Sequence, residues 1–161
     1  MAHDGVSKTV HATCIALGGR GALIRGPSGA GKSDIALRCL GVMRLPGRNS
    51  GCRAELVADD RVIVRRHEER LIAAPPPPLA GLIEVRGLGI LSCPHIAETE
   101  LALVINLTDS GQIDRFPDPL PRATLEGIAL PALDLAPFEA SAPIKLLMAL
   151  ERVVEGRSHL S

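Results

Sequence analysis

The stretch Gly26-Pro27-Ser28-Gly29-Ala30-Gly31-Lys32-Ser33 satisfies the pattern G-x-x-x-x-G-K-[S/T] in full, and it constrains the fold more than any other part of the chain. The pattern works only between a strand and a helix. Both flanks fit. Ala22-Leu23-Ile24-Arg25 reads as a short strand, and Lys32 to Val42 as a helix of about three turns with Ile35, Leu37, Cys39, Leu40 and Met43 on its apolar side. The glycines let the backbone wrap with positive φ, so that successive N–H groups point at phosphate oxygens. The start of the helix adds its partial positive charge. Lys32 then reaches the β- and γ-phosphates, and the Ser33 hydroxyl is a ligand for Mg²⁺. Residues 26–33 are therefore the expected binding site for ATP or a related polyphosphate with Mg²⁺, set at the edge of an α/β sheet.

Composition narrows the remaining choices. At 161 residues the chain is expected to be one domain, and its 46% hydrophobic content is almost all Ala, Val, Leu and Ile. Lys and Arg total 18 against 18 Asp and Glu, with two Phe and no Trp or Tyr. Nucleic acid is disfavoured as a partner, since there is neither basic excess nor stacking surface. By the same arithmetic a bound adenine is expected against aliphatic or arginine surface. No apolar run reaches membrane-spanning length, and the first eight residues hold no apolar signal core. Cys14, Cys39, Cys52 and Cys93 have no paired spacing and read as reduced, mostly buried thiols of a cytoplasmic protein.

Along the chain, Val10 to Leu17 is a β-rich run that can form a hairpin with residues 22–25 through the turn Gly18-Gly19-Arg20-Gly21. Residues 46–51 read as a loop, 55–60 and 61–66 as strands, and 71–73 as a short strand after a polar turn. Pro75 to Pro78 are expected to be a stiff extended surface connection. Residues 82–85 are a strand candidate. Residues 101–107 form the most continuous strand, apolar on both faces and so central. The prolines at 117, 119 and 121 make the next stretch irregular. Ile144 to Glu155 has helical periodicity (Ile144, Leu147, Met148, Glu151, Val154), with Gly156 as its stop.

Several side chains are candidates for chemistry beside the loop. Asp59 and Asp60 end a strand whose carboxyl end shares an edge with the phosphate loop. In an extended chain consecutive side chains point to opposite faces, so only one of the two is central. Either it takes a proton from a hydroxyl, or it holds Mg²⁺ through water beside a bystander; the residues alone leave this open. Glu84 is either a solvent-facing strand residue or a carboxylate partnered by Mg²⁺ or Arg86. His11 lies mid-strand, where a lone His is ordinarily structural. Arg115 is a surface partner of Asp114 or, if aimed at the phosphates, a stabiliser of transition-state charge. The other histidines show no ligand spacing.

Taken in series, these blocks resemble the HPr kinase/phosphorylase family. His11 precedes the phosphate loop at the family's distance, and Gly19-Arg-Gly-Ala-Leu-Ile runs into residues 26–33. Leu56-Val-Ala-Asp-Asp-Arg-Val62 is similar to the family's aspartate strand, and Leu82-Ile-Glu-Val-Arg-Gly-Leu-Gly-Ile90 matches its signature almost letter for letter. Ile105-Asn-Leu107 followed by Asp114-Arg115 adds a shorter match, so the resemblance covers about residues 10 to 115. It implies an α/β fold, a P-loop-bearing mixed sheet similar to the phosphoenolpyruvate carboxykinase core, and an ATP- and Mg²⁺-dependent protein-serine kinase acting on HPr or a related phosphocarrier protein. It further implies that Lys32 binds phosphate, that Ser33 and Glu84 hold the metal, and that Asp60 deprotonates the target serine. His11, Arg115 and Asp59 fall in the family's active site, and family members are commonly hexameric.

The chain departs from the family in four places. The chain is expected to correspond to the catalytic domain without the N-terminal domain of longer members, an extra loop lies at Arg44–Arg53, and Leu91 to Glu98 replaces a glycine-rich segment. The stretch linked to dephosphorylation is reduced at best to Pro143-Ile-Lys-Leu146, so kinase activity is expected ahead of phosphorylase activity. Two alternatives follow from the phosphate loop alone: a small-molecule kinase, which needs an arginine-rich lid that is not visible, and an ATP-binding switch with little turnover.

Overall fold

Runs of Val, Ile and Leu cut by Gly, Pro and Asp turns favour short strands, and strands make up most of this protein. A computed structural model describes residues 6–46, 51–115 and 117–154. In chain order the elements are β1 (Lys8–Val10), β2 (Thr13–Leu17), β3 (Arg20–Arg25), α1 (Lys32–Leu40), β4 (Glu55–Ala58), β5 (Val62–His67), β6 (Arg70–Ala74), β7 (Leu82–Val85), β8 (Gly89–Ser92), β9 (Thr99–Leu107), β10 (Arg122–Leu125), β11 (Ile128–Leu135) and α2 (Ala142–Val154). Among the described residues, nine strands share one mixed sheet in the order β1-β5-β6-β9-β3-β2-β4, with the β10–β11 hairpin joined to β9. β7 and β8 pair separately as an antiparallel hairpin.

β9 is the central strand that residues 101–107 predicted. One of its edges pairs in parallel with β3, from Arg20–Glu100 to Arg25–Asn106. Its other edge pairs first with β6 at Ile72–Glu100 and then, in parallel, with β11 from Val104 onward. The carboxyl ends of β3, β9 and β11 therefore face one edge, where ligands of open α/β sheets bind.

Alternation along the strands sorts the core into two layers. Ile15, Leu17, Ala22, Ile24, Leu103 and Ile105 face the helices, meeting Ile35, Ala36 and Cys39 of α1 and Leu146, Leu147 and Leu150 of α2. Cys14, Ala16, Leu23 and Val57 face the other way against Val62, Val64, Leu71 and Ala73, and Leu125, Ile128 and Leu130 pack onto them. The sheet curls over, so strands rather than a second helical layer cover that face. No helix among the described residues is long and apolar enough to cross a membrane.

The β2–β3 hairpin, β4 to β7 and the central β9 stand where the sequence placed them, and other expectations change. His11 is not mid-strand: it sits at an exposed bend between β1 and β2, because β1 leaves its neighbour to pair with β5. Leu37 and Met43 are exposed, and Ala36 takes a buried place on α1 instead. On α2, Leu146 and Leu150 are buried while Ile144 is exposed. The proline run does not stay extended: Pro77–Leu79 coils into a single 3₁₀ turn, with Pro75 buried. Gly156, most of the 46–51 loop and the end of the C-terminal helix fall outside the described residues.

Candidate active site

β3 ends at Arg25 and the chain turns at once through residues 26–31 into α1. Gly29 and Gly31 have φ of +81° and +102°, the left-handed region that frees successive N–H groups to face an anion. At Gly31 a side chain is excluded twice, because a Cβ there would also stand 3.1 Å from Cζ of Phe138. Lys32, the first helical residue, is only 6% exposed. Its Nζ donates to the carbonyls of Gly26 (2.7 Å) and Pro27 (3.0 Å). An ammonium has three donors, so one remains for an acceptor in the cleft that Lys32 lines.

The two neighbouring aspartates have opposite surroundings. β4 carries Leu56, Val57 and Ala58 into the core and stops at Asp59, which is 5% exposed. Asp59 Oδ1 accepts from the hydroxyls of Thr13 (2.8 Å) and Ser33 (2.7 Å), and Oδ2 accepts from the Glu84 N–H (2.9 Å). Three donors offset the cost of burying this carboxylate. Asp60 then takes φ +68°, a left-handed conformation that Asp tolerates better than most residues. The turn swings its side chain outward, where it is 58% exposed. There Asp60 Oδ1 lies 3.0 Å from His11 Nε2, and Oδ2 lies 3.9 Å from Arg61 Nε.

A cleft of about 520 Å³ brings these groups together: His11, Lys32, Ser33, Asp60, Glu84 and Arg86 line it beside the backbone of Ser28, Gly29 and Gly31. Glu84 is exposed in β7 and its side chain lines this cleft. Pro27 and Ala30 line a second cleft, which shares Ser28, Gly29 and Phe138 with the first. Arg115 is not brought to either cleft. It is exposed, past the 3₁₀ turn at Ser110–Gln112, with no hydrogen bond or ion pair to a described residue.

Among the described residues no group of three or more His, Cys, Asp or Glu forms a metal cage. The donor set at the loop is instead one hydroxyl, Ser33, against one carboxylate, Asp59, with Glu84 across the cleft. That suits a hard cation that keeps most of its shell as water and substrate phosphate. Close by, burial and, to a smaller degree, the Asp59 charge push the Cys93 thiol up.

The family model described as the HPr Serine kinase C-terminal domain matches residues 5–151. The chain belongs to that family. The HPr kinase/phosphorylase of Limosilactobacillus reuteri is 31% identical over 159 residues, covering 92% of this chain and 44% of that protein. That of Burkholderia lata is 33% identical over 154 residues, covering 91% of this chain and 44% of the relative. This HPr serine kinase domain thus spans less than half the length of the curated relatives it matches. A solved structure titled as the Hpr(Ser) kinase/phosphatase from Coxiella burnetii shares the fold, with a TM-score of 0.74 at 22% identity, over 93% of this chain and 99% of that one.

Three residues of this HPr serine kinase domain escaped the sequence reading. Thr13 is one, and its signal was its position: it opens a strand antiparallel to β4, which sets Cys14 beside Ala58 and Thr13 beside Asp59. Arg38 and Phe138 gave none, because the loop that joins them to the site lies almost a hundred residues from the helix it contacts.

Proposed function

We propose that this domain transfers the γ-phosphate of ATP to a serine hydroxyl of HPr or a related phosphocarrier protein, with Mg²⁺ as the metal. The observation that carries the reading is the division of labour between Asp59 and Asp60. A carboxylate that already accepts three hydrogen bonds, one from the P-loop serine, is placed to hold a cation's water shell and not to collect a proton. An exposed carboxylate at the mouth of the same cleft is open to an incoming hydroxyl.

The serine Oγ attacks the γ-phosphorus, the Oγ–P bond forms as the bond to the β–γ bridging oxygen breaks, and ADP leaves. The serine proton passes to an Asp60 carboxylate oxygen. His11, 3.0 Å from that carboxylate, orients it. Lys32 and the N–H groups of residues 29–31 hold the phosphates in line, and charge neutralisation at these oxygens is the part supplied by Mg²⁺ when bound at Ser33 and Asp59. Glu84 and Arg86 on the facing wall contact the approaching segment. Run backward, Asp60 returns the proton to the serine oxygen. The reaction belongs in the cytoplasm, where ATP and free thiols coexist.

The test is mass spectrometry of HPr after incubation with the protein, ATP and Mg²⁺. One phosphate on one HPr serine is the expected result. HPr left unmodified while ATP binds would overturn the reading in favour of a nucleotide-dependent switch.

A further inference from the structure

We infer that the second cleft, which adjoins the phosphate cleft along the loop, is a nucleoside site in which the Phe138 ring stacks on the purine base. The inference rests on the nucleotide reading above and extends it to the part of the ligand that the phosphate loop does not touch.

The cleft has a volume of about 730 Å³, within the size range of small-molecule sites. It meets the phosphate cleft at Ser28, Gly29 and Phe138, which line both. A ligand with its phosphates at Lys32 and its remainder in the second cleft therefore passes over one continuous wall. The charges give the direction. Lys32 and Arg86 line the phosphate cleft together with Asp34, Asp60 and Glu84, whereas among the described residues no cationic side chain lines the second cleft, whose ionisable groups are Asp109 and Glu139. An anionic tail is repelled there, and an uncharged nucleoside is not. The apolar walls come from Leu107, at the end of β9, and from Ala136 and Pro137, just past β11. These are the carboxyl ends of parallel strands.

Phe138, one of the chain's two Phe, is 72% exposed and lines both clefts. Its ring is nevertheless held in place. One edge lies against Gly31, and the preceding carbonyl, Pro137 O, accepts a hydrogen bond from the Arg38 guanidinium of α1. A fixed, exposed aromatic face beside an apolar wall is the surface on which a base stacks. The Asp109 carboxylate has no described partner and is an acceptor for ribose hydroxyls, while Glu139 is paired with Lys145. The expectation that adenine rests on aliphatic or arginine surface alone followed from the scarcity of aromatics; one ring in the right place replaces it.

The whole chain is titrated with MgATP and with magnesium tripolyphosphate, as wild type and as Phe138→Ala. Wild type should bind MgATP about tenfold more tightly than tripolyphosphate, and Phe138→Ala should lose that advantage with its tripolyphosphate affinity unchanged. A second variant, Phe138→Trp, introduces the chain's sole indole. Its fluorescence should be quenched by MgATP and not by tripolyphosphate. Equal wild-type affinity for the two ligands overturns the inference, as does an equal loss of both in Phe138→Ala or an indole that ignores MgATP. Wild type that binds neither ligand overturns both this inference and the nucleotide reading beneath it, whereas ATP bound no better than tripolyphosphate overturns this inference alone.

Discussion

Ser33 Oγ donates a hydrogen bond of 2.7 Å to Asp59 Oδ1, tying the first turn of α1 to the end of β4. The same carboxylate also fixes Thr13 on β2 and the backbone of Glu84 on β7. One buried anion thus sets the mutual position of four elements around the cleft, so its removal acts on the fold as well as on the chemistry. Asp59→Ala orphans three donors, one of them a backbone N–H. It should cost about 2–4 kcal/mol of stability, read as a lower urea midpoint at unchanged slope. Thr13→Val, which removes a single donor, should cost about 1 kcal/mol. An Asp59→Ala protein with the wild-type midpoint would show that this carboxylate does not organise the site.

Lys32 is held against the carbonyls of Gly26 and Pro27 with one donor left over. Removing it deletes a charge-assisted contact to phosphate, worth about 1.5–3 kcal/mol. Lys32→Met should therefore weaken ATP binding by about 10- to 150-fold, measured by calorimetry in the presence of Mg²⁺. An ATP affinity within error of wild type contradicts the placement of the triphosphate.

Gly31 combines a φ of +102° with the Phe138 ring 3.1 Å from any Cβ. Gly31→Ala should lose at least about 1 kcal/mol of stability from backbone strain alone. It should also weaken ATP binding, because either the loop or the ring must shift. Thermal denaturation and ATP titration of the variant check both parts, and normal values for both would contradict the tight contact.

Much of the fold was legible where local signals agree. The glycine loop, its flanking strand and helix, the β2–β3 hairpin and the unbroken apolar run of β9 each follow from residues close in sequence. What was not legible depends on pairing across long separations. β10 and β11 were hidden because Pro131 lies within β11, where Pro argues against a strand; there it pairs with β10 at Arg122, and the inner strand edge starts one residue later at Ala132. The site shows the same split. The sequence brought Asp59 and Asp60 to the loop, yet which of them turns outward depends on the left-handed backbone at Asp60. Arg115 was legible as an active-site residue only through family resemblance, and its chain segment follows β9 past the second cleft instead of returning to the phosphates.

The buried thiols give the protein an alkaline limit. Burial raises the Cys14 thiol far above its ordinary 9.0 and pushes Cys39 up to about 12 against a smaller opposing pull from Arg38. Above pH 9 the unfolded chain releases these protons while the folded chain retains them. The stabilisation is complete below that pH and declines as pH rises toward 12, by about 1.4 kcal/mol per pH unit for each thiol. Urea midpoints at about pH 8 and about pH 10 should fall less in Cys39→Ala than in wild type. An identical fall in both contradicts the assignment.

Asp60 as the proton acceptor is the centre of the account. The decisive measurement is the single-turnover rate of phosphate transfer from saturating ATP to the HPr serine, wild type against Asp60→Asn. Asn also tolerates the left-handed backbone at this position, so the substitution removes the base and leaves the turn. The rate should fall by about two to four orders of magnitude with the Kd for ATP unchanged. Transfer by Asp60→Asn at the wild-type rate would contradict the account.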